Sequence, residues 1–439
     1  MKSNCLRDFA KYASLNVLGM LGLSCYILAD TFFVSKSLGT NGLTALNLAI
    51  PIYSFIHGSG LMIGMGGGTK YSIQKIRRDD AAANRTFSNS VFIAACFGLF
   101  FVLLGLFFSK DILSLFGAKD SVLEMSNTYL FVILLFAPAF LINNVLLCFV
   151  RNDGAPQLSM AAMIGGSLSN VLLDWVFMFP LGMGIFGAVL ATGLAPIISI
   201  LILTPHFIRK KNGFHFTKCK MERKRTAGIL SSGVPSLITE VSSGIVMIVF
   251  NSIILRLAGN VGVAAYGVIA NLSLVIIAIY TGIAQGIQPI ISKNYGLGEQ
   301  GHVKAILRYA LVTMLAFSAI IYTGIFMCAP QITAVFNSEQ NPVLQQIATE
   351  GLRLYFVACP FAGFNIIISM YFTSTAYPRP AHIISVLRGF VVIIPMAFIL
   401  SVIGEVYGVW CAFPATELLV SVIGLLFWGI SRKNAKTYT

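Results

Sequence analysis

Stretches of about 20 apolar residues recur along the whole of this 439-residue chain, and that recurrence decides what it can fold into. Twelve can be delimited, at roughly 12–35, 43–69, 88–109, 125–150, 158–180, 184–208, 229–256, 262–292, 304–329, 350–376, 381–403 and 407–430. At about 1.5 Å of rise per residue, each is long enough to cross the ~30 Å hydrocarbon core of a bilayer as a helix. Inside a bilayer every backbone N–H and C=O must be paired within the protein, so only helices and closed barrels span it. Leu, Ile and Phe fill these runs without the strict alternation of a barrel strand, which points to helices. The expected fold class is therefore an all-α membrane protein with twelve transmembrane helices. Composition excludes a water-soluble fold, since only 10% of residues are charged against about 25% in soluble domains.

The formal net charge of +14 would suit a nucleic-acid binder, but its distribution argues for topology instead. With residue 1 in the cytoplasm, twelve spans return residue 439 there. The cytoplasmic segments then hold Lys2, Arg7, Lys11, Lys70, Lys75, Arg77, Arg78, Arg85, Arg151, the cluster Arg209 to Arg225, Lys293, Lys304, Arg308, Arg379, Arg388, Arg432, Lys433 and Lys436. The outer segments hold only Lys36, Lys110, Lys119, Arg256 and Arg353. This is the positive-inside bias. It predicts a multi-pass protein of the cell (inner) membrane with both termini cytoplasmic, in contact with anionic lipids and not with nucleic acid. The eight cysteines (Cys5, Cys25, Cys96, Cys148, Cys219, Cys328, Cys359, Cys411) show no CxxC pairing and read as free, buried thiols.

The longest polar stretch, Arg209 to Arg225, falls at the middle of the chain and separates two blocks of six spans. The expected organisation is residues 1–208 as a first lobe, 209–228 as a basic cytoplasmic linker and 229–439 as a second lobe. The blocks resemble each other. Pro138 and Pro156 match Pro360 and Pro378 at an offset of 222, as Gly60 and Gly64 match Gly282 and Gly286. IFGAV from Ile185 resembles VYGVW from Val406. Six spans is an even number, so the repeat is parallel, about an axis along the membrane normal, and a substrate site is expected where the two lobes face each other.

Four acidic residues lie inside spans: Asp30, Asp174, Glu240 and Glu417. A carboxylate at that depth costs about 2.5–3.5 kcal/mol on insertion scales and marks an ion or substrate path. No Lys or Arg is expected deep enough to neutralise them. Counting residues from the span ends puts Asp30, Asp174 and Thr192 in one layer, roughly 8–12 Å below the outer end, with Asn170 one turn from Asp174 on the same face. Such a group suits either proton uptake or a small hard cation such as sodium. Glu240 and Glu417 fall near mid-depth in the second half, as candidates for a further cation or substrate site or for structural hydrogen bonds. His57 is lone and reads as an interior histidine before a ligand. Gln285 and Gln288 are candidates for cavity lining or for helix packing.

The residues that surround these positions resemble the multidrug and toxic compound extrusion (MATE) transporters. ADTFFVSKSLGTNGLTALNLAIPI around Asp30, SNVLLDWVFMFPLGMGIFGAVLAT around Asp174, and GVPSLITE, AAYGVIA and GIAQGIQPIISKNYG in the second half carry the resemblance, which covers nearly the whole chain. It implies two pseudo-symmetric six-helix lobes around a central cavity, and export of amphipathic, often cationic compounds in exchange for protons or sodium by alternating access. It also implies a cation site at Asp30, Asn170, Asp174 and Thr192, and a role for Glu240. Two features depart from the family. Residues 12–35 hold no proline to bend the first helix, leaving Gly19 and Gly22 as soft points. The tenth span offers Asn365 and Ser369 where some members have an aspartate.

The function expected is thus a cation-coupled antiporter working as a monomer on small amphipathic molecules, with no cofactor beyond its coupling ion. The alternative is a flippase for lipid-linked oligosaccharide or lipid of the same superfamily, which should carry cationic residues deep in its cavity. An enzyme is not expected, because HExxH, GxSxG and any His/Asp ligand grouping on one span are missing.

Overall fold

Gly39 and Gly259 set the geometry of the two lobes. Each sits between two long helices with nearly identical backbone angles, φ 62° and ψ −151° at Gly39, φ 61° and ψ −156° at Gly259. A residue with a Cβ is strained in that region, so glycine lets one span reverse into the next within a residue. The computed structural model of the chain describes residues 2–115, 120–218, 222–337 and 340–437. In chain order its spans are α1 (Cys5–Gly39), α2 (Asn41–Ile76), α3 (Asp80–Ser114), α4 (Val122–Leu135 and Ala137–Asn152), α5 (Pro156–Met178) and α6 (Gly184–Ile208). The second half gives α7 (223–258), α8 (260–296), α9 (Gln300–Phe336), α10 (Pro342–Ser374), α11 (379–403) and α12 (406–431). Twelve crossings result, and there is no strand among the described residues.

The repeat is written into the turns. Left-handed residues recur in matching pairs: Gly39 with Gly259, Arg78 with Gly298, Gly154 with Ala376, and Gly184 with Glu405, each pair separated by 220 to 222 residues. The two proline positions also act alike. Pro138 follows a 48° bend between the halves of α4, and Pro360 follows a 3₁₀ turn, Phe356–Ala358, inside α10. Proline removes one helical donor and crowds the preceding turn, so both helices break at the same place. In α1, by contrast, Gly19 and Gly22 lie in unbroken helix. They pack against Met163 and Ile164 of α5.

Two hydrophobic cores divide the helices. Val34, Phe87, Ile133 and Val189 belong to one, and Ile254, Ile291, Leu352 and Trp410 to the other. The starts of α1 and α7 cross between them: Phe9 and Ala13 are buried in the second core, Ile229 in the first. This crossing lies at the end of the bundle that carries the connection between the lobes, here the linker end. There the backbones touch. A Cβ on Gly66 would lie 2.0 Å from the Ile229 carbonyl oxygen, and one on Gly233 1.8 Å from that of Met62.

Several polar contacts between the lobes lie at the same end. Gln288 Nε2 donates to Thr69 Oγ1 at 3.0 Å, and Gln288 and Asn152 exchange two hydrogen bonds of 2.9 and 3.1 Å. The connection itself is stapled down by Asp153, which accepts from the Tyr71 hydroxyl at 2.5 Å and the Gly213 N–H at 2.7 Å, and pairs with His206 Nε2 at 2.9 Å. Phe214, fully buried, packs onto the rings of Tyr71, Phe87, Phe149 and Phe207.

The described cysteines are free, but not all are interior. Cys5, Cys148 and Cys359 are buried, whereas Cys25, Cys96 and Cys328 are exposed on the bundle's outside. The expectation of uniformly buried thiols is corrected on this point: apolarity of a span does not say which face meets lipid. Cys219 and Lys119 lie outside the described residues.

Candidate functional site: a carboxylate layer, a cavity and a buried ion pair

Helix geometry brings the first-lobe polar residues together. Asp30 (α1) is 6% exposed, and Asp174 and Asn170 (α5) and Thr192 (α6) are buried. Asn170 lies four residues before Asp174, so one helix face presents both. With its amide nitrogen turned toward the acid, Asn170 donates to Asp174 Oδ2 at 3.1 Å while its oxygen accepts from the Thr192 N–H at 3.2 Å. In the opposite setting the amide nitrogen meets only Thr192 Oγ1, at 3.4 Å. Thr192 Oγ1 itself donates back to the Ala188 carbonyl at 3.1 Å.

One oxygen of each acid, Asp30 Oδ1 and Asp174 Oδ1, is buried with no hydrogen-bond partner. Neither acid has a Lys, Arg or His partner among the ion pairs of the described residues. Two buried carboxylates without a counter-charge form a site of unmet demand for a cation or proton.

Two tyrosines missed in the sequence complete the surroundings. Tyr129 (α4), 4% exposed, lies within electrostatic reach of both acids with its hydroxyl toward Thr192. Tyr26 is one turn before Asp30 and shares a 2.8 Å hydrogen bond with Tyr53 of α2. The i, i+4 spacing from Asp30 was a usable signal for Tyr26; nothing in spacing points to Tyr129. From Tyr53 the polar chain continues. Its ring stacks with that of His57, centroids 6.0 Å apart, and His57 Nδ1 is 3.4 Å from Glu240 Oε2 of α7. His57 is therefore not lone. Its partner stands 183 residues away and meets it only across the lobe interface.

Glu417 differs. Arg388 donates to Glu417 Oε1 from Nε at 3.0 Å and from a terminal nitrogen at 2.7 Å, and Asn365 Nδ2 donates to Oε2 at 2.7 Å. Both carboxylate oxygens are satisfied and the charge is neutralised. The expectation that no basic residue reaches the acids is corrected: Arg388 rides on a π-helical turn, Leu387–Val391, inside α11 and reaches inward to the 2%-exposed Glu417. Asn365 thus serves Glu417.

A cavity runs within the first lobe from Tyr26, Tyr53 and His57 toward the linker end, where Asn143, Ser199 and Arg151 line it. Arg151, read from the sequence as a surface residue, is only 2% exposed. Gln285 of α8 covers it, accepting from the same guanidinium nitrogen through Oε1 at 3.0 Å and through its backbone carbonyl at 3.3 Å. Gln285 accordingly both lines the cavity and joins the lobes, while Gln288 joins them.

The MatE family profile matches residues 17–176 and 235–399, once in each lobe. The chain is 24% identical to the multidrug export protein MepA of Staphylococcus saprophyticus over 97% of its own length and 94% of that protein's. A crystal structure of a MATE protein in complex with MaL6 superposes with a TM-score of 0.92, at 25% identity, over 98% of this chain and 97% of the other. An outward-facing multidrug-resistance MATE transporter gives a TM-score of 0.91 at 24% identity, over 98% and 96%. The profile matches most of both lobes, the relatives and the fold extend over almost the full length, and the chain belongs to the MATE family of transporters.

Proposed function

We propose that this protein exports amphipathic, often cationic compounds across the cell membrane, driven by entry of protons or sodium ions that bind between Asp30 and Asp174. The observation that carries this reading is the pair of buried carboxylates with unpartnered oxygens in the first lobe, with no such acid in the second among the described residues. The printed name of the MepA relatives, a multidrug export protein, supports the substrate class. The basic connection and the other basic segments favour the linker end as cytoplasmic. With the lobes closed on each other there, the carboxylate layer lies toward the opposite, outer side, from which the coupling ion enters.

Directed export requires that ion and drug favour opposite states of the lobes, which is a coupling free energy between two sites. The Tyr26–Tyr53–His57–Glu240 chain gives this coupling a physical route, because it begins one turn from Asp30 and ends on the second lobe. The test is dye efflux from proteoliposomes under a proton gradient alone and then a sodium gradient alone. Wild-type protein should respond to at least one. Asp30→Asn and Asp174→Asn should fall to the level of empty liposomes under both while remaining folded; full activity in both variants would remove the site assignment.

A further inference from the structure

Arg151 is a buried guanidinium with no carboxylate partner among the described residues. One terminal nitrogen serves both Gln285 acceptors and its Nε has none. Asp153, two residues on, is fully engaged by Tyr71, His206 and Gly213. An uncompensated buried ion costs several kcal/mol. Around it, on the same cavity wall, Ser199 Oγ (α6) and Asn143 Oδ1 (α4) are buried without partners. The guanidinium and the Ser199 hydroxyl are thus two incompletely partnered buried donors on the lining of one cavity.

We infer that this end of the cavity is an anion subsite, which takes a monoanion held by Arg151 and Ser199. Its occupant is the carboxylate of an amphipathic substrate or a small inorganic anion such as chloride. The cavity then differs at its two ends: at one, His57 is backed by the carboxylate of Glu240, and at the other stands the guanidinium of Arg151. A guanidinium suits a carboxylate because its planar donors match the two oxygens. Gln285 belongs to the second lobe, so parting the lobes at the linker end takes two acceptors from Arg151 and strengthens its pull on the anion. A carboxylate-bearing substrate is thus captured best when the cavity opens to that end. This inference rests on the export reading of the cavity.

The experiment measures fluorescence-polarisation binding of a zwitterionic xanthene dye and of its methyl ester, which lacks the carboxylate, to purified full-length protein in chloride and in methanesulfonate. Wild type should bind the free acid about tenfold more tightly than the ester, or about 1.4 kcal/mol. Arg151→Gln should erase that preference by weakening the acid alone. Arg151→Lys should retain part of it, and Ser199→Ala should reduce it, which keeps the test alive should Arg151→Gln fail to fold. If chloride is the occupant, the ester should bind more tightly in chloride than in methanesulfonate, and Arg151→Gln should lose that dependence. Equal binding of acid and ester by wild type with no chloride effect, or an Arg151→Gln loss shared equally by both dyes, overturns the subsite and leaves the export reading standing. Failure of wild type to bind either dye overturns both.

Discussion

The two lobes share a backbone, down to matched left-handed turns, and treat their buried acids in opposite ways. In the first lobe Asp30 and Asp174 have no cation of their own, and each keeps an unpartnered oxygen. In the second, Glu417 is enclosed by Arg388 and Asn365. No acid stands at the repeat-related positions, 220 to 222 residues beyond Asp30 and Asp174. A buried acid that carries its counter-ion is part of the framework. One that lacks it must take a mobile ion or proton, and so responds to what the solvent offers. On the proposed reading, one lobe neutralises its buried acid internally and the other leaves two acids for the coupling ion.

The contrast can be broken most forcefully at Arg388. Arg388→Met leaves Glu417 buried and unpaired, and should cost about 3–5 kcal/mol, seen as a large fall in thermal midpoint in detergent. The double variant Arg388→Met with Glu417→Met should recover most of it. Asp30→Asn and Asp174→Asn, which remove charges that have no cationic partner among the described residues, should leave that midpoint unchanged or raised. If the two lobes respond alike, the division of labour is wrong.

A smaller effect is expected at the interface that closes the linker end. Gly66→Ala and Gly233→Ala place a methyl group against a backbone carbonyl, and overpacking of this kind costs about 1–3 kcal/mol. The closed arrangement bears that cost. In a background where the buried Cys148 is the sole cysteine, thiol labelling should therefore quicken in both variants. Unchanged labelling would mean that these glycines do not govern closure.

The smallest predicted change concerns the polar chain between the lobes. Tyr53→Phe removes the 2.8 Å bond to Tyr26, worth about 0.5–1.5 kcal/mol. It should weaken the dependence of drug affinity on the coupling ion by up to about tenfold without abolishing ion-driven efflux. A loss as complete as that of Asp30→Asn would place Tyr53 in the ion site itself.

Much of this architecture was legible in the sequence because bilayer physics leaves few options. Span length, positive-inside bias and a fixed offset of prolines and glycines give twelve helices in two related halves. Counting depth along helices also grouped Asp30, Asn170, Asp174 and Thr192, since that layer depends on rise per residue and chain direction alone. Partners across helices were not legible. Arg388 looked like a residue at a span end because basic side chains near an end usually reach for water; the π-helical turn that directs it to Glu417 has no sequence signature here. Arg151 lies one residue from the end of α4, and only the packing of Gln285 over it makes it interior. His57 and Glu240 belong to different lobes, so no local pattern links them.

The central claim is that the first-lobe acids bind the ion that drives export. Its most direct measurement is the affinity of purified protein for a fluorescent amphipathic cation, titrated from pH 8 to pH 6 and, separately, with sodium chloride at constant ionic strength. Wild-type affinity should fall as the coupling ion is added, and Asp30→Asn and Asp174→Asn should bind the dye with an affinity that no longer depends on it. Variants that release the dye in response to protons or sodium as the wild type does would show that the ion binds elsewhere.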